Sequence, residues 1–187
     1  MTLEEIRVEI DAVDTEMKPL FLRRMECSRQ VAEAKEKSGG DVYVPEREKV
    51  VIGGRSSDVD QSVRDEYVMF LRHLMSVGRR YQDGILTGMQ ETAVGAALAR
   101  SGLSGDVPHS QVKVRFFCGK ASGNLNLFVN MMALNQIPVD RMELESQDGR
   151  QRVEAVLDGN VNESNMRRLL CQLEKEAEGF EILELRG

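Results

Sequence analysis

The sequence predicts two structural classes in one chain: an all-helical N-terminal part with three helices, followed by a smaller α+β part. Two observations lead to this prediction. Apolar residues recur every three or four positions through about the first hundred residues, which is typical of amphipathic helices. Beyond residue 111, short segments alternate apolar and polar residues, which is typical of strands. At 187 residues, with 41% hydrophobic and 30% charged residues, the chain can bury a core in each part.

The first helix is predicted to begin at a Thr2–Glu5 capping box and to end at the glycine pair 39–40. It would contain about 36 residues and extend about 54 Å. Pro19 removes one backbone hydrogen bond from its interior. Because the apolar period continues unbroken past Pro19, we expect a kink there and no break.

Two further helices complete the predicted bundle. The second begins at Pro45, a residue that suits the first position of a helix, and ends at Gly53-Gly54. The third begins near Ser62 and continues into the alanine-rich stretch near Leu98. We therefore assign residues 1–98 to a helical domain and residues 99–111, rich in glycine, serine and proline, to a linker.

Residues 112–187 are predicted to form one small domain. Strands are expected at 112–118, 139–146, 152–157 and 180–185, and helices at 123–136 and 162–178. The resulting order, β-α-β-β-α-β, is that of a ferredoxin-like fold.

Composition excludes several classes of function. No apolar run approaches the roughly 20 residues of a membrane-spanning helix, and the N-terminus lacks a signal-peptide pattern. A net charge of −6 disfavours nucleic acid as a partner. Cys27, Cys118 and Cys171 are widely spaced and are expected to be buried thiols in a reducing cytoplasm. These thiols indicate a cytoplasmic protein. Because the chain has only two histidines, we expect no metal site.

One arginine occupies a position in the first helix where an apolar residue is expected. The apolar series before it is Leu3, Ile6, Ile10, Val13, Met17 and Leu20. The next member of the series is Arg24, which therefore lies in the predicted buried seam. A buried guanidinium costs several kcal/mol unless an anion meets it. Its partner is either a carboxylate of the protein, such as Glu48, or an anionic ligand, and we favour the ligand.

A second cation shares the face of Arg24. Lys35 follows it by 11 residues, close to three turns, so the two side chains lie about 16 Å apart on one side of the helix. Arg7 is about 42 Å from Lys35 along the same helix. It can join the other two only from a second, antiparallel copy of the chain, which predicts a site shared between subunits.

The other two helices supply neutral and acidic groups. Gln82 lies on the apolar stripe of the third helix, where an amide needs polar partners, and Gly78 leaves space one turn earlier. Glu48, beside Arg47 on the second helix, can supply an acceptor.

Several short segments carry a resemblance to a known family. They are Ile6-Arg7, Ile10-Asp11-Ala12-Val13-Asp14, Arg23-Arg24-Met25, Val31-Ala32-Glu33-Ala34-Lys35, Val42-Tyr43-Val44-Pro45-Glu46-Arg47-Glu48 and Arg79-Arg80-Tyr81-Gln82. In this order and spacing, residues 3–90 resemble the all-helical (type II) chorismate mutases. The chain departs from the family at Val44, where an aspartate is usual, and at Gly78, where a serine is frequent.

The resemblance implies an intertwined homodimer and a role for each residue. Arg24 and Arg7, the latter from the other subunit, would hold the two carboxylates of chorismate, with Arg47 nearby. Lys35 and Gln82 would face the ether oxygen. Three further positions are assigned in the same way: Glu48 would face the ring hydroxyl, and Val44 and Gly78 would flank the substrate.

The implied activity is the [3,3] rearrangement of chorismate to prephenate in aromatic amino-acid biosynthesis, on the shikimate pathway. This single step needs no nucleophile, no acid–base pair and no cofactor. The protein has to hold a flexible dianion in a compact conformation and stabilise negative charge that grows on the ether oxygen. Paired arginines suit the carboxylates, and fixed Lys and Gln donors suit the oxygen.

Residues 112–187 resemble the ACT regulatory domains of prephenate dehydratases. Gly123-Asn124-Leu125 stands where that family has Gly-Ala-Leu, and Leu144-Glu145-Ser146-Gln147 stands where it has Glu-Ser-Arg-Pro. The resemblance implies allosteric regulation by an aromatic amino acid bound at an effector site. Its residues would be Gly123, Asn124, Leu125, Glu145 and Ser146.

Two other interpretations remain open at this point. In the first, the helical bundle is a catalytically decayed mutase that serves as the dimeriser of an amino-acid-sensing protein, an alternative favoured by Val44, Gly78 and the Gly53-Gly54 pair. A helical interaction module without a ligand is the second, and it explains the inward-facing polar residues poorly.

Overall fold

The computed structural model describes the backbone of all 187 residues and every side chain except those of residues 122 and 123. The N-terminal part consists of four helices: α1 (Leu3–Ser38), α2 (Pro45–Ser56), α3 (Arg64–Ile85) and α4 (Thr87–Arg100). Helix α1 packs beside α3, and α2 also lies on α3. Among the described residues, none of these helices combines the length and the apolar composition that crossing a membrane requires.

Helix α1 has the bounds and the caps that the sequence predicts. Thr2 accepts a hydrogen bond from the backbone N–H of Glu5 at 3.2 Å, and the Glu5 carboxylate accepts one from the backbone N–H of Thr2 at 2.7 Å. At the other end Gly39 adopts a left-handed conformation, with φ of 72°, and its N–H donates to the carbonyl of Lys35. The helix continues through Pro19, so the predicted capping box, length and continuity are confirmed.

The apolar seam of α1 is buried only near its C-terminal end. Ser28 and Ala32 are the buried residues of this helix. The six apolar residues from Leu3 to Leu20 are between 40% and 64% exposed in the single chain. About half of the helix therefore presents an unpaired apolar stripe. The prediction that Cys27 is buried was wrong: this residue is exposed and lines an open cavity. Cys118 and Cys171 are buried as predicted.

Two helix boundaries differ from the prediction. The pair Gly53-Gly54 lies inside α2, which continues to Ser56, so the prediction that the pair ends the helix was wrong. The predicted third helix is two helices, because Leu86 has φ of −84° and ψ of 63°, outside the helical region. The side chain of Gln90 donates to the carbonyl of Asp83 across this break and so satisfies an acceptor that a continuous helix would have used.

The break at Leu86 redirects α4 toward the C-terminal half of the chain. Helix α4 packs on α6 and on the last strand, and its Val94 and Ala97 belong to the same hydrophobic core as the sheet. The boundary at residue 98 between the two parts stays a prediction.

The C-terminal half contains β1 (Gln111–Gly119), α5 (Ser122–Leu134), β2 (Val139–Gln147), β3 (Arg150–Asp158), α6 (Ser164–Glu176) and β4 (Glu178–Arg186). These elements follow the predicted order of strands and helices. The four strands form one antiparallel sheet in the order β2-β3-β1-β4.

One face of this sheet is covered by helices. Alternate residues of β1, beginning at Val112, are buried, and Phe116 packs on Phe128 of α5 with ring centroids 4.7 Å apart. Leu169, Leu170 and further residues of α6 fill the same core. Helix α6 also contacts α3, which places its C-terminal end beside the helical bundle.

Candidate active site

A cavity of about 480 Å³ lies between α1, α2 and α3. The predicted site residues that line it are Arg24, Lys35, Val44, Arg47, Glu48, Gly78 and Gln82. The fold brings them together because α2 and the C-terminal half of α1 both pack against α3. Seven of the eight predicted substrate-site residues therefore surround one space within a single chain.

Arg24 is held against the backbone of α3. Its Nη1 donates to the carbonyl of Leu74 at 3.0 Å. A Cβ atom at Gly78 would lie only 3.1 Å from the same Nη1, so the glycine allows the guanidinium to approach the helix closely. Burial lowers the pKa of Arg24, and the nearby Arg55 lowers it further, whereas Glu48 raises it. Within the described side chains Arg24 forms no ion pair, so the ion pair with Glu48 that was the alternative to a ligand is not present.

Other cations line the same cavity. Lys35 donates from Nζ to the carbonyl of Val42 at 3.1 Å, and burial is the main cause that lowers its pKa. Arg47 also lowers the pKa of Lys35 by charge repulsion. Arg55 lines the cavity from the last turn of α2. Because these cations face a common space, the cavity favours an anionic ligand.

Arg55 was not among the predicted site residues, although the sequence carries a signal for it. Arg55 follows Glu48 by seven residues, which is close to two helical turns and places both on one face of α2. The wrong assumption that α2 ends at Gly53-Gly54 concealed this relation.

Glu48 is engaged by an arginine that the sequence analysis gave no separate role. Arg79 of α3 is buried, with 3% of its surface exposed, and its Nη1 donates to the carboxylate of Glu48. Its Nε donates to Oε1 of Glu176 in α6 at 2.9 Å, and its guanidinium lies over the ring of Tyr43, 5.0 Å from the centroid. Burial alone would lower the pKa of Arg79, but the carboxylates of Glu176 and Glu48 outweigh it and raise the value.

Gln82 presents an unsatisfied group close to this network. Its Oε1 is buried and has no hydrogen-bond partner within the described part of the protein. Leaving a buried amide oxygen without a hydrogen bond costs free energy. A polar ligand that donates to this oxygen, or a rotation of the Gln82 amide, would remove that cost.

Comparison with known proteins agrees with this arrangement. Residues 6–83 match the family model described as chorismate mutase type II. These residues form a type II chorismate mutase domain. The chain is also 35% identical over 60 residues to the T-protein of Haemophilus influenzae. That match covers 32% of this chain and 16% of the T-protein, so the chain corresponds to a small part of that relative. No solved structure matches the chain.

The mutase domain leaves one predicted residue outside the cavity. The side chain of Arg7 is 65% exposed and pairs with Glu4 at 3.2 Å. It precedes Arg24 by 17 residues, which is about 26 Å along α1. Only a second chain can bring an Arg7 to this cavity.

The predicted effector residues lie at one end of the C-terminal sheet. Glu145 and Ser146 are exposed near the end of β2, where Glu145 pairs with Arg152 at 2.7 Å. Asn124 lies in the first turn of α5, next to Gly119 at the end of β1, while Leu125 packs against the core. The register β2-β3-β1 separates the two groups by two strand spacings, or about 10 Å. Gly123 lies outside the residues whose side chains are described.

Proposed function

We propose that the protein is a chorismate mutase that converts chorismate to prephenate. The observation that carries this proposal is the cavity of the type II domain. Its described lining contains one carboxylate, Glu48, and five cationic side chains: Arg24, Lys35, Arg47, Arg55 and Arg79. A dianion of the size of a substituted cyclohexadiene fits such a space, and the surplus of positive charge compensates for the loss of its hydration.

The substrate carboxylates would be bound by arginine. Arg24 is fixed by its bond to Leu74, so little side-chain freedom remains to be lost when a carboxylate binds. A guanidinium offers two parallel N–H groups to a carboxylate, which sets direction as well as affinity. Arg7 of a second chain would meet the other carboxylate, with Arg47 and Arg55 beside it.

The rearrangement itself would be accelerated by donors aimed at the ether oxygen. Lys35 and the amide of Gln82 line the cavity from opposite helices, and both are partly withdrawn from water. Negative charge that grows on the breaking C–O bond is stabilised more strongly by such fixed donors than by water, because they need no reorganisation. Glu48 would accept the ring hydroxyl, and no covalent intermediate is required.

The exposed stripe of α1 supports the proposed intertwined homodimer. Burying one large aliphatic side chain contributes about 1.5 to 3 kcal/mol, and six of them lie on this stripe. An antiparallel second α1 would cover them and would also bring its Arg7 toward the cavity.

We propose an ACT-like regulatory role for residues 112–187, with residues 1–98 as the mutase domain and 99–111 as the linker. The order β-α-β-β-α-β and the sheet order β2-β3-β1-β4 support a ferredoxin-like fold of this type. An aromatic amino acid is the proposed effector, at the sheet end that carries Asn124 and Glu145. The cytoplasmic location stays a prediction.

The decisive experiment follows the loss of chorismate absorbance with purified protein, with and without phenylalanine or tyrosine. Arg24→Ala is expected to lower kcat/KM at least about 100-fold, since it removes a charge-assisted bidentate contact. Arg29→Ala is the matched control, because Arg29 lies on the same helix and, among the described side chains, pairs with Glu26 and Glu33 outside the cavity lining. It should leave turnover within about twofold of the wild type.

A folded dimer without turnover would overturn the enzymatic proposal. The alternative, a decayed mutase bundle that dimerises an amino-acid sensor, would then be preferred. One observation favours that alternative: Val44, where the family usually has aspartate, lines the cavity with an apolar side chain.

A further inference from the structure

Three charged side chains connect the mutase cavity to the C-terminal half of the chain. Glu48 is on α2, Arg79 is on α3 and Glu176 is the last residue of α6. The side chains of Arg79 and Glu176 are 4% and 1% exposed, whereas that of Glu48 is 25% exposed and lines the cavity. Two fully buried charges therefore stand behind one partly exposed carboxylate.

The guanidinium of Arg79 is fixed from several sides. Its Nε donates to Glu176, its Nη1 donates to Glu48, and its plane lies over Tyr43. Because a guanidinium is planar, two hydrogen bonds to separate edges determine both its position and its orientation. Within the described residues, Glu48 accepts its side-chain hydrogen bond from Arg79, so the position of Glu48 depends on that of Arg79.

Among the described side chains, Glu176 in turn pairs with Arg79. Its Oε1 accepts from Arg79 at 2.9 Å, and its Oε2 is buried without a hydrogen-bond partner among the described residues. Burial raises the pKa of Glu176, and the charge of Arg79 opposes that rise. Among the described side chains, the hydrogen bond to Arg79 is therefore the interaction that compensates for the burial of this carboxylate.

We propose that Glu176 is a positioning residue of the mutase site, which holds Arg79 and through it sets the orientation of the Glu48 carboxylate. The inference rests on the proposed function and extends it, because it makes the C-terminal half of the chain part of the catalytic apparatus. Glu176 lies at the junction of α6 and β4, so a displacement of α6 against α3 moves Arg79 and hence Glu48.

The test uses the full chain and a matched pair of substitutions on α6. Glu176→Gln preserves size and one acceptor but removes the charge that holds Arg79. Glu174→Gln removes a carboxylate two residues earlier, which pairs with Arg100 and not with Arg79. Glu176→Gln is expected to lower kcat by about 10- to 100-fold, the range that a misplacement of about 1 Å produces, while Glu174→Gln stays within about twofold of wild type.

A double-substitution cycle separates positioning from a general structural role. In a Glu48→Gln background, Glu176→Gln is expected to change kcat by less than about twofold, because Glu48 no longer transmits the effect. Equal losses of kcat in both backgrounds, or an equal loss from Glu174→Gln, would overturn the proposal.

The linkage also has a readout that does not depend on turnover. The two substitutions at 48 and 176 should shift the urea midpoint non-additively, since both act on Arg79. Additive midpoints would refute the linkage even in an inactive protein. If the wild type does not convert chorismate but the urea midpoints are non-additive, the linkage stands and only the proposed function is refuted.

Discussion

Gly78→Ala is expected to raise the stability of the protein and lower its activity at the same time. The glycine is buried in the interior of α3, where an alanine has the better helix propensity by about 1 kcal/mol. The added Cβ would stand 3.1 Å from Nη1 of Arg24 and 3.3 Å from Oγ of Ser28. Both distances are shorter than an ordinary contact, so these side chains have to move by a few tenths of an ångström.

The magnitude follows from what Arg24 loses when it moves. The guanidinium can move because it is the end of a long side chain, but the movement weakens its hydrogen bond to Leu74. That loss offsets part of the helix-propensity gain, so a net gain of about 0.5 kcal/mol in the free energy of unfolding is expected. The displaced guanidinium no longer meets the substrate carboxylate in its bidentate geometry. A loss of about 1.4 kcal/mol in transition-state binding corresponds to a tenfold lower kcat/KM.

The assay combines urea unfolding with initial rates of chorismate consumption on the same preparations. Gly95→Ala is the matched control, since Gly95 is an exposed glycine inside α4 with no heavy atom within 4 Å of the added Cβ. That control should gain about 1 kcal/mol and keep the wild-type rate. An unchanged kcat/KM in Gly78→Ala, or a rate lost equally in Gly95→Ala, would refute the reasoning about Arg24.

Three further expectations can be checked separately. Val44 is the N-cap of α2 and makes no side-chain cap, so Val44→Asp should raise the free energy of unfolding by about 1 kcal/mol in urea titrations, and no gain would contradict this account. Burial raises the pKa of Asp83 to about 7, from 3.8, and Glu176 adds to the rise. Because the pKa of Asp83 is higher in the folded state, its protonated form stabilises the fold below about pH 4, and this stabilisation is lost as the pH rises through 7. Asp83→Asn should therefore be more stable than the wild type at pH 8, by up to about 4 kcal/mol, but not at pH 4. An equal difference at both pH values would count against the protonated Asp83. Ile10→Glu places a charge on the exposed stripe of α1, so light scattering should give the mass of one 21.0 kDa chain in place of two, with activity lost; a variant that stays dimeric would argue against this interface.

The proposed coupling through Arg79 would give the C-terminal half a physical route to the mutase cavity. Its two carboxylate partners belong to α2 and α6, so the mutase cavity and the C-terminal sheet domain share one buried charge network. Breaking such a network by removing one partner is costly, because it leaves a buried charge uncompensated. An effector that shifts α6 relative to α3 would therefore act on Glu48 without contacting the substrate.

Features that depend on neighbours within a few turns could be predicted from the sequence. The capping box at Thr2, the continuous helix past Pro19 and the order of the six C-terminal elements follow from local periodicity and from hydrogen bonding between residues three or four apart. The same periodicity identified Arg24 and Gln82, because a polar residue in an apolar seam is visible without any knowledge of its partners.

The tertiary structure alone decided the features that depend on distant partners. The break at Leu86 follows from the packing of α4 on α6, and the pairing of Glu48 with Arg79 follows from the place of Glu176, which is 97 residues from Arg79 in the chain. Periodicity reports which face of a helix is apolar, but it does not report which distant element covers that face. The sequence therefore predicts that a buried arginine requires a negatively charged partner. Which carboxylate is that partner depends on how the two halves of the chain pack together.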